Sequence, residues 1–362
     1  MSDKIYLFFP YKTVSGVPIL FSRIVEHFSM HKKIIIIDYV DGALNKLTLN
    51  YPVEKINFKD GEKINITDGV LILQAQNPEY CRPELTIGDN VNVLFWILHS
   101  KNLQLNSIYK FQFKKIRIFE FKKLKSFVST IDNELGLISM DESTKIDTEN
   151  YLNINLNSKI VPILVNKKVS ENKISFNNRN SWAYLGRIES FKTKPLMKLL
   201  ESLEILNLQG VLDDKFIFHV IGDGKDVKLI KSYAKKLSFK INFVGFIENE
   251  ELQKLITKLK VSCVAAMGTA ILDAMSLGCL VVKLDFFYDK IKNFPNYNFK
   301  VASNTYCLGK ELIDKDFSNQ LPTDLKNIYL NYSNNFSDIL NKQYKYLISF
   351  YDDSANIKKL QL

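Results

Sequence analysis

Short apolar runs rich in β-branched residues recur along this chain with helical stretches between them, and that alternation restricts what it can fold into. Runs at Ile5–Phe9, Ile34–Asp38, Val70–Gln74, Val91–His99, Gly136–Met140 and Lys159–Val165 make one set. A second follows at Trp182–Arg187, Phe216–Ile221, Ile241–Val244, Val261–Ala266, Leu280–Leu284 and Lys300–Ala302. Helical patterns fall between them at Pro18–Met30, Pro195–Leu208, Asp226–Leu237, Asn249–Leu259 and Thr269–Leu277. Alternation of this kind predicts parallel sheets with helices on both faces, a doubly wound α/β architecture.

At 362 residues the chain is too long for one core and comfortable for two domains. The polar stretch NKKVSENKISFNNRN, from Asn166 to Asn180, is the natural linker. We therefore expect a Rossmann-like domain over 1–166, a linker over 167–180 and a second such domain over 181–335. Apolar residues at helical spacing (Phe336, Ile339, Leu340, Tyr344, Leu347) predict a terminal helix over about 336–362. Ligands in such sheets bind at the carboxyl ends of strands, so both halves are expected to face one cleft.

Composition removes several classes. Hydrophobic residues at 46%, with 14 glycines and 9 prolines, exclude a disordered or collagen-like chain. Cys81, Cys263, Cys279 and Cys307 lie far apart, without metal-ligand spacing, so a reducing compartment is expected and no metal site. Val261–Val282 is apolar and long enough to span a bilayer, but Asp273, Gly268 and Gly278 divide it into strand, turn, helix and strand. The apolar N-terminal run reaches Pro10 too soon for a secretory segment, so a cytoplasmic chain is expected.

The net charge of +10 is concentrated. Between Lys101 and Lys125 stand eight basic residues against one acid, a net of +7. Lys110, Lys114, Lys115, Arg117, Lys122, Lys123 and Lys125 interleave with Tyr109, Phe111, Phe113, Phe119, Phe121 and Phe127. Lysine mixed with aromatics suits an anionic membrane or a lipid-linked acceptor. A helix whose phenylalanines face the core, or a single-stranded nucleic acid site, would read the same way.

Four loops of the second half fit one phosphate-bearing ligand. Gly186-Arg187-Ile188 follows a strand, and Arg187 and Lys192 are spaced to converge on a diphosphate. Gly222-Asp223-Gly224 is a fragment of a dinucleotide fingerprint without its third glycine. Val244-Gly245-Phe246 ends a strand where backbone can approach a flat ring. At Gly268-Thr269 the chain turns into a helix that Thr269 can cap, with Asp273 one turn in; such a helix start attracts phosphate.

The segments YLGRIESFKT, HVIGDG, INFVGFI and AAMGTAILDAMSLGCLVV stand in the order and approximate spacing of a known family. The chain resembles the group 1 (family 4) glycosyltransferases of GT-B architecture, over Trp182 to Asp285. That resemblance implies two Rossmann-like domains with a nucleotide-sugar between them, and a last helix, about 336–362, that returns to the first domain. It gives Arg187 and Lys192 the diphosphate leaving group, Gly222, Gly268 and Thr269 the phosphates or sugar, Asp273 the ribose, and Val244 and Phe246 the base. In the first half it implies Gly16 beside the diphosphate and His99 near the reacting sugar. Retention of anomeric configuration, no metal and no cofactor follow from the same likeness, with a UDP-sugar the first donor to expect and a GDP-sugar the second. The chain departs from the pattern at Ala265, where the family's first acid falls, and at Asp273, one methylene shorter than its second.

The resulting expectation is a bacterial-type transferase acting on a lipid-linked or growing surface glycan, peripheral on the inner face of the cytoplasmic membrane. The alternatives are a nucleotide-sugar epimerase or hydrolase, whose acid and base would be His99, Asp141 or Glu142, and a non-catalytic glycan- or lipid-binding relative. A nucleic-acid partner is not expected.

Overall fold

The computed structural model describes residues 3–14, 16–75, 85–105, 114–165, 178–188, 190–287, 293–299, 308–312, 317–318, 322–351 and 353–360. The chain divides into two compact units, Met1–Asn166 with Tyr351–Leu362, and Lys167–Phe350. Most of the expected linker lies outside the described residues.

In the first unit β1 (Lys4–Phe8), α1 (Gly16–Phe28), β2 (Lys33–Asp38), α2 (Ala43–Leu47), β3 (Glu54–Asn57), β4 (Ile64–Gln74) and β5 (Leu85–Ile97) lead to α3 (Lys114–Glu134). Then come β6 (Gly136–Ser139), α4 (Glu142–Leu152) and β7 (Lys159–Ile160). The strands form one sheet in the order β3-β2-β1-β4-β5-β6-β7, each pair parallel. Ile34–Ile37 and Leu94–Ile97 are buried on both faces, as strands covered by helices above and below must be. On α3, Leu124, Val128 and Ile131 recur at helical spacing and enter the core with Phe95, Leu137 and Leu152.

The second unit runs β8 (Ser181–Leu185), α5 (Thr193–Leu208), β9 (Ile217–Ile221), α6 (Val227–Ala234), β10 (Lys240–Gly245), α7 (Asn249–Leu259), β11 (Cys263–Ala266), α8 (Thr269–Ser276) and β12 (Leu280–Lys283). Short strands β13 (Phe294–Pro295), β14 (Asn298–Phe299) and β15 (Phe317–Ser318) precede α9 (Thr323–Leu330), α10 (Tyr332–Tyr351) and α11 (Asp353–Leu360). The sheet order is β10-β9-β8-β11-β12-β14, parallel except for the antiparallel β14. The stretch Val261–Val282 is strand, turn, helix and strand, and no helix among the described residues is long and apolar enough to cross a membrane.

Trp182 at the centre of this sheet is fully buried, its ring 6.0 Å from Phe216, 5.9 Å from Tyr329 and 6.2 Å from Tyr332. Replacing a side chain of that size by alanine costs about 3–5 kcal/mol. Tyr332, Phe336 and Leu340 of α10 join the same core. The segment of about 336–362, for which the resemblance implies a return to the first domain, is divided between the two units. From 336 to Phe350 the helix belongs to the second unit, and the return begins at Tyr351.

Candidate active site

Parallel strands point one way, so β8, β9, β10, β11 and β12 all end at one edge of the second sheet. The four loops singled out by sequence leave from that edge, and the main chain ties three of them together. Gly186 N–H donates to the Ile221 carbonyl (3.1 Å), Ile188 N–H to that of Asp223 (2.9 Å), and Gly222 N–H to that of Gly245 (2.8 Å). Gly222 has φ +141° and Gly224 φ +155°. A Cβ on Gly222 would collide with the Gly186 carbonyl, and one on Gly224 with the Ile188 carbonyl. Glycine is required there by close backbone approach as well as by φ.

Arg187 and Lys192 share the connection from β8 to α5, both half-buried. The fully buried Tyr184 donates its hydroxyl to the Arg187 carbonyl (3.0 Å), which fixes the backbone where the guanidinium departs. Burial pushes the Tyr184 phenol far above its ordinary pKa, so it stays a donor. Lys192 closes a 3-10 turn, Ser190–Lys192, and the next residue, Thr193, donates to Asp226 Oδ2 at 2.7 Å. Phe191 packs on Phe286, ring centroids 5.1 Å apart.

The turn into α8 differs from expectation in one respect. Gly268, not Thr269, is the N-cap, with φ 66° and ψ −144° and no side-chain cap bond; Thr269 is the first helical residue. A backbone that turns at positive φ lets glycine do the capping, and so moves Thr269 into the first turn. Gly268 N–H donates to the Leu308 carbonyl (2.8 Å). No described atom lies within 4 Å of where a Cβ on Gly268 or Gly245 would stand. Asp273 is half-buried one turn into the helix, and Ser276 donates to its carbonyl at 2.8 Å. Val244 is half-buried at the end of β10, and Phe246 beyond it is 69% exposed. Ala265 is buried in the second core, in register with Tyr184 and Val282, so packing fills the position where an acid is the family pattern.

In the first unit Gly16 opens α1 after β1, again with no described atom within 4 Å of a Cβ. His99 follows β5 and caps a 3-10 turn, Ser100–Leu103; its Nδ1 accepts from Lys101 N–H at 3.2 Å. An accepting Nδ1 selects the neutral tautomer with the proton on Nε2. Asp141, held out for the epimerase alternative, is buried and accepts from Thr144 N–H at 2.7 Å as the N-cap of α4.

Sequence reasoning passed over Asp38. Its buried carboxylate accepts N–H bonds from Tyr11 (3.1 Å), Tyr39 (2.8 Å), Leu44 (3.0 Å) and Asn45 (3.1 Å). Burial raises its pKa and these four donors oppose the rise. They pin the loop between β1 and Gly16 to the start of α2. The only trace in the sequence is Gly42, where a Cβ would overlap the Asp38 carboxylate.

The basic segment divides by side chain. Phe121 and Phe127 pack against the first core, Phe127 with Phe95 at 6.1 Å and Phe121 with Tyr151 at 5.6 Å. Phe119 is 57% exposed with Lys123 Nζ 4.5 Å from its ring centre. Lys122 and Lys123 are exposed, and Lys125 donates to the Asn153 carbonyl at 2.9 Å. Lys114, Lys115 and Arg117 lie on the α3 backbone with side chains outside the description, and Lys110, Tyr109, Phe111 and Phe113 lie outside the described residues, as do Cys81 and Cys307. Cys263 and Cys279 are buried thiols, which burial holds in the neutral form, Cys279 pushed up to about 12.

Residues 166–288 match the family model of the group 1 glycosyl transferases. The chain superposes on the crystal structure of Anabaena HepE in complex with UDP, with a TM-score of 0.61 at 11% identity over 100% of this chain and 98% of that one. WaaB, a lipopolysaccharide outer core galactosyltransferase in its apo form, gives 0.58 at 10% identity over 99% of both chains. WaaG, a glycosyltransferase of lipopolysaccharide biosynthesis, gives 0.52 at 12% over 96% of this chain and 100% of that one. No curated protein matches the sequence. The fold is thus GT-B, two Rossmann-like α/β domains. Within it the match to the group 1 glycosyl transferases covers residues 166–288, the part of the chain that carries all four loops of the second sheet edge.

Proposed function

We propose that the chain moves a hexosyl group from a UDP-sugar to a lipid-linked or growing surface-glycan acceptor, with retention, without a metal, and at the inner face of the cytoplasmic membrane. The observation that carries the donor half is the single sheet edge from which Gly186, Gly222, Gly245 and Gly268 all leave. Arg187 and Lys192 stand on the first of those loops, and α8 opens from the last without a side-chain cap. As the glycosidic bond to the diphosphate breaks, negative charge gathers on the departing phosphate. Two cations and a helix start then stabilise the leaving group more than the bound donor, which is what lowers a barrier. In this reading Asp273 accepts from the ribose, and Val244 and Phe246 border the base. His99 with its proton on Nε2 can donate to the reacting sugar. Uracil is the base of choice because the HepE structure contains UDP.

The acceptor half rests on Lys122, Lys123 and Phe119, which present charge and an exposed ring on one helix. Phe121 and Phe127 turn inward, so part of the aromatic pattern belongs to the core and the membrane reading stands on fewer residues.

The test is thermal unfolding with UDP, GDP and their sugars, on the wild type and on Lys192→Ala. A ligand at a hundred times its Kd stabilises by about 2.7 kcal/mol. Stabilisation by a uridine nucleotide that Lys192→Ala largely loses is the expected result. Absence of any shift at millimolar nucleotide would sink the donor assignment.

A further inference from the structure

The end of β12 carries a carboxylate that the donor reading above leaves unused. Asp285 stands two residues beyond Lys283, its side chain 12% exposed. Its Oδ1 accepts from Lys283 Nζ at 2.6 Å and from Lys310 N–H at 2.8 Å. Among the described residues its Oδ2 accepts no hydrogen bond. One oxygen is thus fixed twice and the other is available.

Its neighbours place it at the active edge. Leu284 N–H donates to the Ala266 carbonyl (2.8 Å), which carries the β11–β12 pairing up to the residue before Asp285. A Cβ on Gly309 would stand 3.8 Å from Met267 Cβ and 4.0 Å from Asp285 Oδ1. Asp285 therefore borders the Met267–Gly268 turn that opens α8. On its other flank the ring of Phe286 packs on Phe191, the residue before Lys192. The carboxylate has the helix start on one side and the cationic connection on the other.

An anion there is poorly suited to a diphosphate, which it would repel. It suits neutral donors. Adjacent hydroxyls of a pyranose offer O–H groups, and a carboxylate oriented by a lysine accepts them at charge-assisted strength. We propose that Asp285 reads the hydroxyls of the donor hexose and is a specificity-determining residue, with Lys283 and the Leu308–Leu312 segment holding it in place. The proposal rests on the donor-site assignment above and adds which part of the donor this carboxylate contacts.

The experiment compares binding of UDP with binding of UDP-glucose, UDP-galactose and UDP-N-acetylglucosamine, by calorimetry, on the wild type, Asp285→Ala and the isosteric Asp285→Asn. Unliganded melting temperatures establish that each variant folds. The expected result is UDP affinity within about twofold of wild type in both variants. The preferred UDP-sugar should weaken roughly ten- to hundredfold, the loss of a charge-assisted hydrogen bond. Equal loss for UDP and UDP-sugar, or no loss for either, overturns the role of Asp285 while leaving the donor site intact. If Asp285→Ala unfolds, Asp285→Asn and Lys283→Met carry the same comparison. A wild type that binds no uridine nucleotide overturns the donor-site assignment itself, and this inference with it.

Discussion

Gln343 on α10 completes the hydrogen bonding of Val281 on β12. Its side-chain oxygen accepts from Val281 N–H at 3.2 Å and its amide nitrogen donates to the Val281 carbonyl at 3.1 Å, with the glutamine 1% exposed. Among the described residues β14 pairs with Val282 and Lys283, and Gln343 meets Val281 one residue before that pairing. A primary amide offers a donor and an acceptor in the spacing of a peptide, and the helix thereby satisfies a backbone pair of the strand.

Gln343→Leu should therefore cost about 1–3 kcal/mol, the desolvation of a buried N–H and C=O left unpaired. Denaturant unfolding checks it. Gln343→Glu supplies an acceptor without the donor and should also destabilise. If Gln343→Leu is neutral, the amide is not what docks α10.

The two kinds of glycine at the active edge should behave differently. Gly222→Ala puts a methyl group onto the Gly186 carbonyl at φ +141° and should both destabilise the second unit and abolish nucleotide binding. Gly245→Ala meets no described atom within 4 Å and carries only the positive-φ penalty, about 1 kcal/mol. Melting temperature and nucleotide-induced shift, measured on both, give the comparison.

Lys122→Glu with Lys123→Glu should weaken binding to anionic vesicles without changing the nucleotide-induced shift. At about 1 kcal/mol per lysine near such a surface, simple loss of both charges is worth on the order of thirtyfold. The effect should shrink as salt is raised. Co-sedimentation that is unchanged in the double variant would assign these lysines to the solvated face alone.

His219 gives a pH dependence. It is buried on β9 with Nδ1 3.1 Å from the Asn242 amide, and burial, then the charge of Lys240, lowers its pKa below 6.5. The unfolded chain then binds the proton more readily than the folded one. The stability His219 contributes is present above pH 6.5 and is lost as pH falls below it. His219→Gln should flatten that acid limb of the unfolding curve. An unchanged limb would place its origin elsewhere.

The alternation of apolar runs was sufficient to read two parallel sheets, because strands covered on both faces have no other way to be soluble. The glycine turns were legible for a similar reason: Gly222 and Gly224 sit where backbone meets backbone, and only one residue type fits. What stayed hidden depends on partners distant in sequence. Asp38 is held by four N–H groups, one of them on Tyr11, and Asp285 by Lys310; neither acid stands in a motif. Phe119, Phe121 and Phe127 look alike as letters, yet helical phase sends two inward and one outward. Apolar periodicity likewise marks α10 as a helix without saying which core Tyr332, Phe336 and Leu340 enter, and it is silent on Gln343.

The interlocked turns after β8 and β9 also bear on how such a chain can change over time. With the carbonyls of Gly186 and Ile188 pressed against Gly222 and Gly224, a side chain at either glycine must displace the neighbouring turn. The end of β12 carries no such mutual veto. Variety among descendants of this sequence should accumulate on that flank, leaving the phosphate grip an heirloom and the flank beside it the place where new sugar preferences arise.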